Sequence, residues 1–361
     1  MWPDTRLTDL FGIEHPIIQA PMAGSATPEM AAEVCAAGGL GSLGCKWGAA
    51  DEVRGFSDAM RTKTNAPFNL NFFVTPAEPA MSDADFSRFR SAAQPIFDTL
   101  DAGPVPDNPG PYPAGFPDDI LNLVLDLRPP VVSFHFGLPA QPAINALKKA
   151  GIILLASATT VSEARQIEAA GLHAVIAQSF EAGGHRGSFS PGAPDAGIGL
   201  MSLLPQIVDA VSLPVVAAGG IADGRGITAA LALGAAGVQI GTAFLRSPEA
   251  STTEEHRNAI ATTPAENTVF TAAVSGRAAR GMATDYARAM AQIQAPFPAF
   301  GAMYKISNPV VEKHKRDAPE KASLYLFGQS APLVRAEPAR AIMERLIAET
   351  QAIRAKLGAT T

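Results

Sequence analysis

Few residues of the kinds that announce chemistry outright are present. The chain has 2 Cys, 2 Trp and 4 Tyr in 361 residues. Cys35 and Cys45 permit one disulfide by arithmetic. So long and cysteine-poor a chain reads instead as cytoplasmic, with both thiols reduced. No C-x-x-C or H-E-x-x-H string occurs, so no metal site is expected. Charge is sparse, at 17% of residues, and 28 basic against 34 acidic side chains give a net −6. The basic residues form no block or stripe. Nucleic acid and anionic membrane are therefore poor partners. The N-terminal stretch carries Asp4, Arg6, Asp9 and Glu14 and no apolar core, so it does not read as a signal peptide. The best candidate for a membrane span, Ile227 to Leu245, is broken by Gly234, Gly237 and Gly241. It reads as a helix end and a strand.

Glycine and proline are abundant, at 32 and 30. Together they make roughly a sixth of the chain, above the usual eighth or so. Without a G-x-y period, and with 47% hydrophobic residues, that excess points to a packed fold with many tight loops. Eight short apolar runs recur: Pro16–Ala20, Leu40–Leu43, Phe68–Val74, Val131–Phe136, Ile152–Ser157, Ala174–Gln178, Pro214–Ala218 and Gly237–Gly241. Their residues are apolar consecutively, the pattern of strands buried on both faces. Ala37-Gly38, Ala150-Gly151, Ala170-Gly171 and Leu233-Gly234 each end a helical pattern before a strand, where Gly supplies a left-handed C-cap. Thr27-Pro28, Thr160-x-x-Glu163 and Asp223 mark helix starts. Repeated strand and helix units predict an α/β TIM (β/α)8 barrel, with an open doubly wound sheet as the alternative. The expected division is a barrel over 1–245 with a Pro-rich insertion at 75–119, a helical substrate subdomain over the active-site mouth at 246–330, and a segment 331–361 whose helix returns to the barrel. That helix is read over Glu337–Leu357.

Barrel enzymes work at the carboxyl ends of their strands. There the sequence places Pro21 and Met22, Asn71, His135, Gln178, the string Glu181-Ala182-Gly183-Gly184-His185-Arg186-Gly187, Gly219-Gly220, and Gln239-Ile240-Gly241-Thr242. The loops after strands 7 and 8 read as a phosphate cradle, with Thr242 as a hydroxyl donor and a helix N-terminus near Gly224 favouring the anion. The alternative is that these glycines only make tight turns. Asn71, Gln178 and Gln239 are costly inside a barrel unless paired. A flat heterocycle such as a flavin would satisfy them, and so would pairing among core amides. His185, flanked by glycines, is a candidate base; otherwise it is a loop histidine held by carbonyls. His135 could line the site or pack in the core. His15 reads as structural and His173 as the entry to strand 6, while His256 and His314 read as solvent-exposed. No G-x-S-x-G elbow occurs, and the glycines at 219–224 are in the wrong order for a dinucleotide fingerprint.

Several strings resemble the nitronate monooxygenase family, formerly called 2-nitropropane dioxygenases. They are QAPMAG at 19–24, NLNFF at 69–73, SFHFGLP at 133–139, ASATT at 156–160, EAGGHRG at 181–187, VVAAGGIADGRG at 215–226 and QIGTAFLRSPEA at 239–250. SGRAARG at 275–281 and FGQS at 327–330 are similar to the class I branch. The resemblance implies non-covalent FMN and O2-dependent oxidation of nitronates or nitroalkanes to carbonyl compounds and nitrite. It implies FMN contacts from Pro21, Met22, Asn71, Gln178, Gly183, Gly219, Gly220 and Gln239 to Thr242, and His185 as base. Tyr304 or Lys305 would attract the anionic substrate, and Gln329 would lie near the mouth. The sequence departs from the family pattern at Phe180, Cys45-Lys46, Phe297 and Phe300, which bears on substrate size and polarity. An FMN- and NAD(P)H-dependent enoyl-thioester or quinone reductase is the alternative enzyme. A flavin-binding protein without catalysis is the alternative outside enzymes.

Overall fold

The computed structural model describes residues 2–77, 81–110, 114–190 and 195–358. Eight strands run parallel: Ile17–Gln19, Gly41–Gly44, Phe68–Phe73, Val131–His135, Ile153–Ala158, Ala174–Gln178, Val215–Ala218 and Gly237–Ile240. Each falls on one of the apolar runs. Each strand pairs with its sequence neighbours, and the first also pairs with the eighth. The seam between the first and second strands is closed by a bridge between Ile18 and Leu40, with Gln19 N–H donating to Leu40 C=O at 3.0 Å. The sheet is therefore a closed (β/α)8 barrel, and the open-sheet alternative fails on that seam.

The joints behave as their chemistry requires. Gly38, Gly151, Gly171 and Gly234 have φ of 80°, 80°, 77° and 93°, a region side chains rarely enter. Thr27, Thr160 and Asp223 each accept a backbone N–H at the start of their helices. The capping box differs in one respect. Glu163 reaches back to Thr159, accepting from both its N–H (2.6 Å) and its hydroxyl (2.7 Å). Its other oxygen takes Phe189 N–H at 2.8 Å, tying the helix start to the loop after the sixth strand.

The barrel's amino end is plugged. Leu7 and Phe11, from the short helix Arg6–Phe11, cluster with Ile18, Leu40, Val131, Leu155, Ala174 and Val216. Val131 and Ala174 are the first residues of their strands, so this apolar plug leaves the carboxyl end for a cavity. Above it lies a polar layer. Asn69 and Asn71, two apart on one strand and so on one face, both donate to Ser133 Oγ, at 3.0 and 2.9 Å.

A second apolar cluster stands apart from the barrel core. It joins Phe89, Ala93 and Phe97, on the helix Asp83–Thr99, to Val274, Tyr286, Met290, Met303, Ile306 and Val310. The helix Ala302–His314 contributes the last three. The closing helix runs Ala339–Gly358 and packs on the helices Pro28–Ala36 and Gly224–Ala232, filling the gap between them. Cys35 and Cys45 are free and buried. Burial pushes the Cys35 thiol up to about 11 and the Cys45 thiol further in the same direction. Among the described residues no helix is long and apolar enough to cross a membrane.

Candidate active site

A cavity of about 500 Å³ opens at the carboxyl ends of the strands. Pro21, Met22, Asn71, Gln178, Gly183, Gly219, Gly220, Gln239, Gly241 and Thr242 line it, together with His135, His185 and Tyr304. Ile240, Lys305 and Gln329 are not among its lining residues. Ile240 is buried in the outer layer of the barrel, against the helices. Lys305 is exposed, and Gln329 lies beside the cavity, its N–H donating to the C=O of the lining residue Glu181.

One floor of the cavity is bare backbone. Gly219 has φ of 102°, and a Cβ there would lie 2.4 Å from Ser179 Oγ and 2.8 Å from Ala182 N. Thr242 Oγ1 accepts Gly328 N–H at 3.0 Å, which leaves its own proton to donate. The helix expected to favour an anion is placed otherwise. The N–H of Gly224 goes to Glu349 Oε2 (3.0 Å) and that of Arg225 to Asp223 Oδ1 (2.9 Å). Two carboxylates of the chain already cap that N-terminus, and neither Gly224 nor Arg225 lines the cavity. The helical turn that does border it is Thr242–Phe244, just after the eighth strand.

The three amides divide. Asn71 is held by Ser133 Oγ and C=O. Gln178 donates to His185 C=O at 2.9 Å and accepts Gly187 N–H at 2.7 Å. Gln239 Oε1 is buried with no hydrogen-bond partner. Protein groups thus pair both ends of Gln178 but only the NH2 of Asn71, and the buried Gln239 Oε1 is left for something else.

His185 sits on a loop pinned from several sides. It pairs with Ala279 in a small antiparallel sheet, and the buried Arg186 forms an ion pair with the exposed Asp195. Its ring lies among Phe73, Phe136, Phe300 and Tyr304, with centroids 5.3 to 6.3 Å away. Nε2 is 3.0 Å from Ser275 Oγ and 3.3 Å from the Tyr304 hydroxyl. Burial first, then the nearby His135 and Arg277, lower its pKa to about 3, so the ring is neutral near pH 7. His135 both lines the cavity and is buttressed. Its Nε2 donates to His185 C=O at 3.1 Å, and Nδ1 meets Ser157 Oγ at 3.0 Å. Burial lowers it to about 4. Phe136 is held at a φ of 77°, strained for a bulky residue. The Arg277 guanidinium covers its ring at 4.2 Å.

Two histidines read as exposed are not. His256 lines the cavity, stacked on Tyr325 at 4.7 Å and 7° between ring planes, and burial lowers it to about 4. His314 is buried with Nε2 2.8 Å from Leu100 C=O. Their polar sequence neighbours suggested solvent, but partners distant in sequence bury them. Phe180 also finds a role: Arg280 lies 4.7 Å from its ring and 4.3 Å from that of Phe270.

A family model described as nitronate monooxygenase matches residues 4–349. The chain belongs to the nitronate monooxygenase family. A nitronate monooxygenase from Paraburkholderia phytofirmans is 44% identical over 94% of this chain and 93% of its own. One from Pseudomonas aeruginosa is 41% identical over 95% and 98%. Among solved structures, a nitroalkane oxidase from Streptomyces ansochromogenes has a TM-score of 0.87 and 36% identity, covering 98% of this chain and 99% of that one. FabK from Thermotoga maritima, at 0.72 and 30%, covers 99% of each. Within this nitronate monooxygenase fold, the SGRAARG segment brings Ser275 and Arg277 to His185. The sequence marks that segment as similar to the class I branch but assigns neither residue a task. Nor does it mark Trp47, Phe73 and Ser157 as part of the cavity wall.

Proposed function

We propose that this chain oxidises alkyl nitronates with O2, using non-covalently bound FMN, and releases a carbonyl compound and nitrite. Neutral nitroalkanes enter the same reaction after losing their α-proton. The observation that carries this reading is a neutral imidazole, His185, held in an aromatic wall of the same cavity that contains the glycine floor. The residues present fit the cofactor. Gln239 Oε1 is a buried acceptor in want of a donor, and Gly219 leaves a hollow that a side chain would fill. Pro21, Met22, Asn71, Gln178, Gly183 and Gln239 would lie along the ring. Gly219, Gly220, Gly241 and Thr242 would hold the phosphate. When bound, a flavin supplies the electron relay between an organic anion and O2.

The chain's own groups do the rest. His185, neutral near pH 7, accepts the α-proton of a nitroalkane. The nitronate that forms is the counter-charge that offsets the low pKa of the ring. Phe73, Phe136 and Phe300 keep water from that proton transfer. Lys46, exposed at the rim of the cavity, adds a positive charge where an anion enters.

The test is spectroscopic. The purified protein should be yellow and release FMN on heating. Without oxygen, a preformed nitronate should bleach it and NADH should not. A colourless protein that fails to bind FMN overturns the proposal. The likeness to FabK favours one alternative, an NAD(P)H-dependent reductase; rapid anaerobic bleaching by NADH would establish that instead.

A further inference from the structure

We propose that Ser275 is a positioning residue that fixes the tautomer of His185, placing the proton on Nε2 and leaving Nδ1 as the nitrogen that accepts a proton from substrate. The inference rests on His185 being the base of the proposed reaction, but its first test does not.

A serine hydroxyl has one proton and can accept twice. Ser275 Oγ donates to Arg277 C=O at 2.9 Å. That carbonyl can only accept, so the single proton of Ser275 is spent. The 3.0 Å contact to His185 Nε2 is then a hydrogen bond only if Nε2–H donates to Oγ. Arg277 N–H, at 3.4 Å, is a weak second donor to the same oxygen. Tyr304 lies 3.3 Å from the same nitrogen, and burial keeps its phenol protonated. A phenol both donates and accepts, so this contact alone does not choose the tautomer; it agrees with the Ser275 geometry when its oxygen accepts from Nε2–H, and Tyr304→Phe separates the two residues. Among the described residues Nδ1 has no hydrogen-bond partner. It is the ring atom left to serve the cavity that His185 lines.

Ser275 is itself held in place. It is buried, and its carbonyl accepts Gly301 N–H at 2.9 Å. Gly276 follows at a φ of 89°, where a Cβ would lie 2.6 Å from Ala299 C=O. This turn therefore presents the hydroxyl at one angle. His135 provides an internal control. Its Nε2 faces the His185 carbonyl, which forces the proton onto that nitrogen whatever Ser275 does.

The experiment is a long-range proton–nitrogen NMR correlation on protein labelled with 15N-histidine, His185 being assigned by its loss in His185→Asn. The expected result is a protonated Nε2 and an unprotonated Nδ1 at neutral pH, for both His185 and His135. A proton on Nδ1 of His185 overturns the inference in the unaltered protein, with no variant needed. In Ser275→Ala, His185 should become a tautomer mixture while His135 does not change. Ser275→Thr should retain the single form, and so should Tyr304→Phe. If Ser275→Ala keeps the single form, or Tyr304→Phe loses it, Ser275 is not the determinant. The ratio of nitroalkane to nitronate turnover should fall about tenfold in Ser275→Ala. If neither compound turns over while the tautomers are as expected, the functional reading fails and the assignment of Ser275 stands.

Discussion

His185 and Gly219 carry different burdens, and each can be tested alone. General acid–base groups contribute roughly 10² to 10⁴ in rate. His185→Asn is therefore expected to lower the ratio of nitroalkane to nitronate turnover about a hundredfold, read by oxygen consumption with each compound. A preformed nitronate has no proton to lose, so equal losses on both compounds would remove the proton-transfer role. Gly219→Ala tests the floor of the cavity. Its φ of 102° and the clash with Ser179 act together. The expected cost is about 1–3 kcal/mol of stability, with FMN affinity weakened by about tenfold or more. An alanine variant that melts normally and keeps its flavin would show the loop has room to spare.

At the level of elements, Glu349 makes the clearest long-range bond. It lies 125 residues from Gly224 and takes that residue's N–H, while Arg345 lies 3.5 Å from the same oxygen. Glu349→Ala should cost about 1 kcal/mol, seen as a lower melting temperature. An unchanged melting curve would mean that water replaces the carboxylate without loss. This bond also shows where sequence stops being informative. The eight strands were legible because burial on both faces makes their residues apolar in succession. The helix ends were legible because a left-handed C-cap prefers glycine. Both are local signals. The carboxylates over Gly224 redirected the expected anion site, and no local pattern pairs residue 224 with 349. The same is true of Ser275 and His185, 90 residues apart. His256 and His314 were misread for that reason too: charge nearby in sequence is not exposure in space. The glycines of the cavity floor and the His185 loop were visible, but the bonds that Ser133 makes to the Asn71 NH2 and the His185 loop to Gln178 were not.

The whole molecule should respond to acid through its buried imidazoles. His185 is lowered to about 3, and His135 and His256 to about 4, in each case mainly by burial. The unfolded chain takes up these protons near pH 6.5 and the folded chain resists until pH 3 to 4. Stability is therefore full above about pH 6.5 and falls as pH drops through that window. Each site contributes a slope of at most about 1.4 kcal/mol per pH unit. His15 and His173 act in the same direction, less strongly because they are half-exposed. The carboxylates with lowered pKa titrate below this range, so histidine governs the loss between pH 6.5 and 5. Chemical denaturation at pH 7, 6 and 5 should show it, and His256→Gln should flatten the dependence. A pH-independent midpoint over that range would mean the imidazoles are hydrated in solution.

The second apolar cluster has a consequence for inheritance. Its two halves, around 83–105 and 273–322, are encoded far apart, yet Phe89 meets Phe297, and Tyr286 meets Phe97. Tyr304 and Leu324, which pack on this cluster, also form wall of the cavity. Exchange of one half with a relative would pair surfaces that were never selected together. Grafting substrate preference between relatives should therefore succeed only when both segments travel as a matched pair, while the barrel beneath them is left as it is.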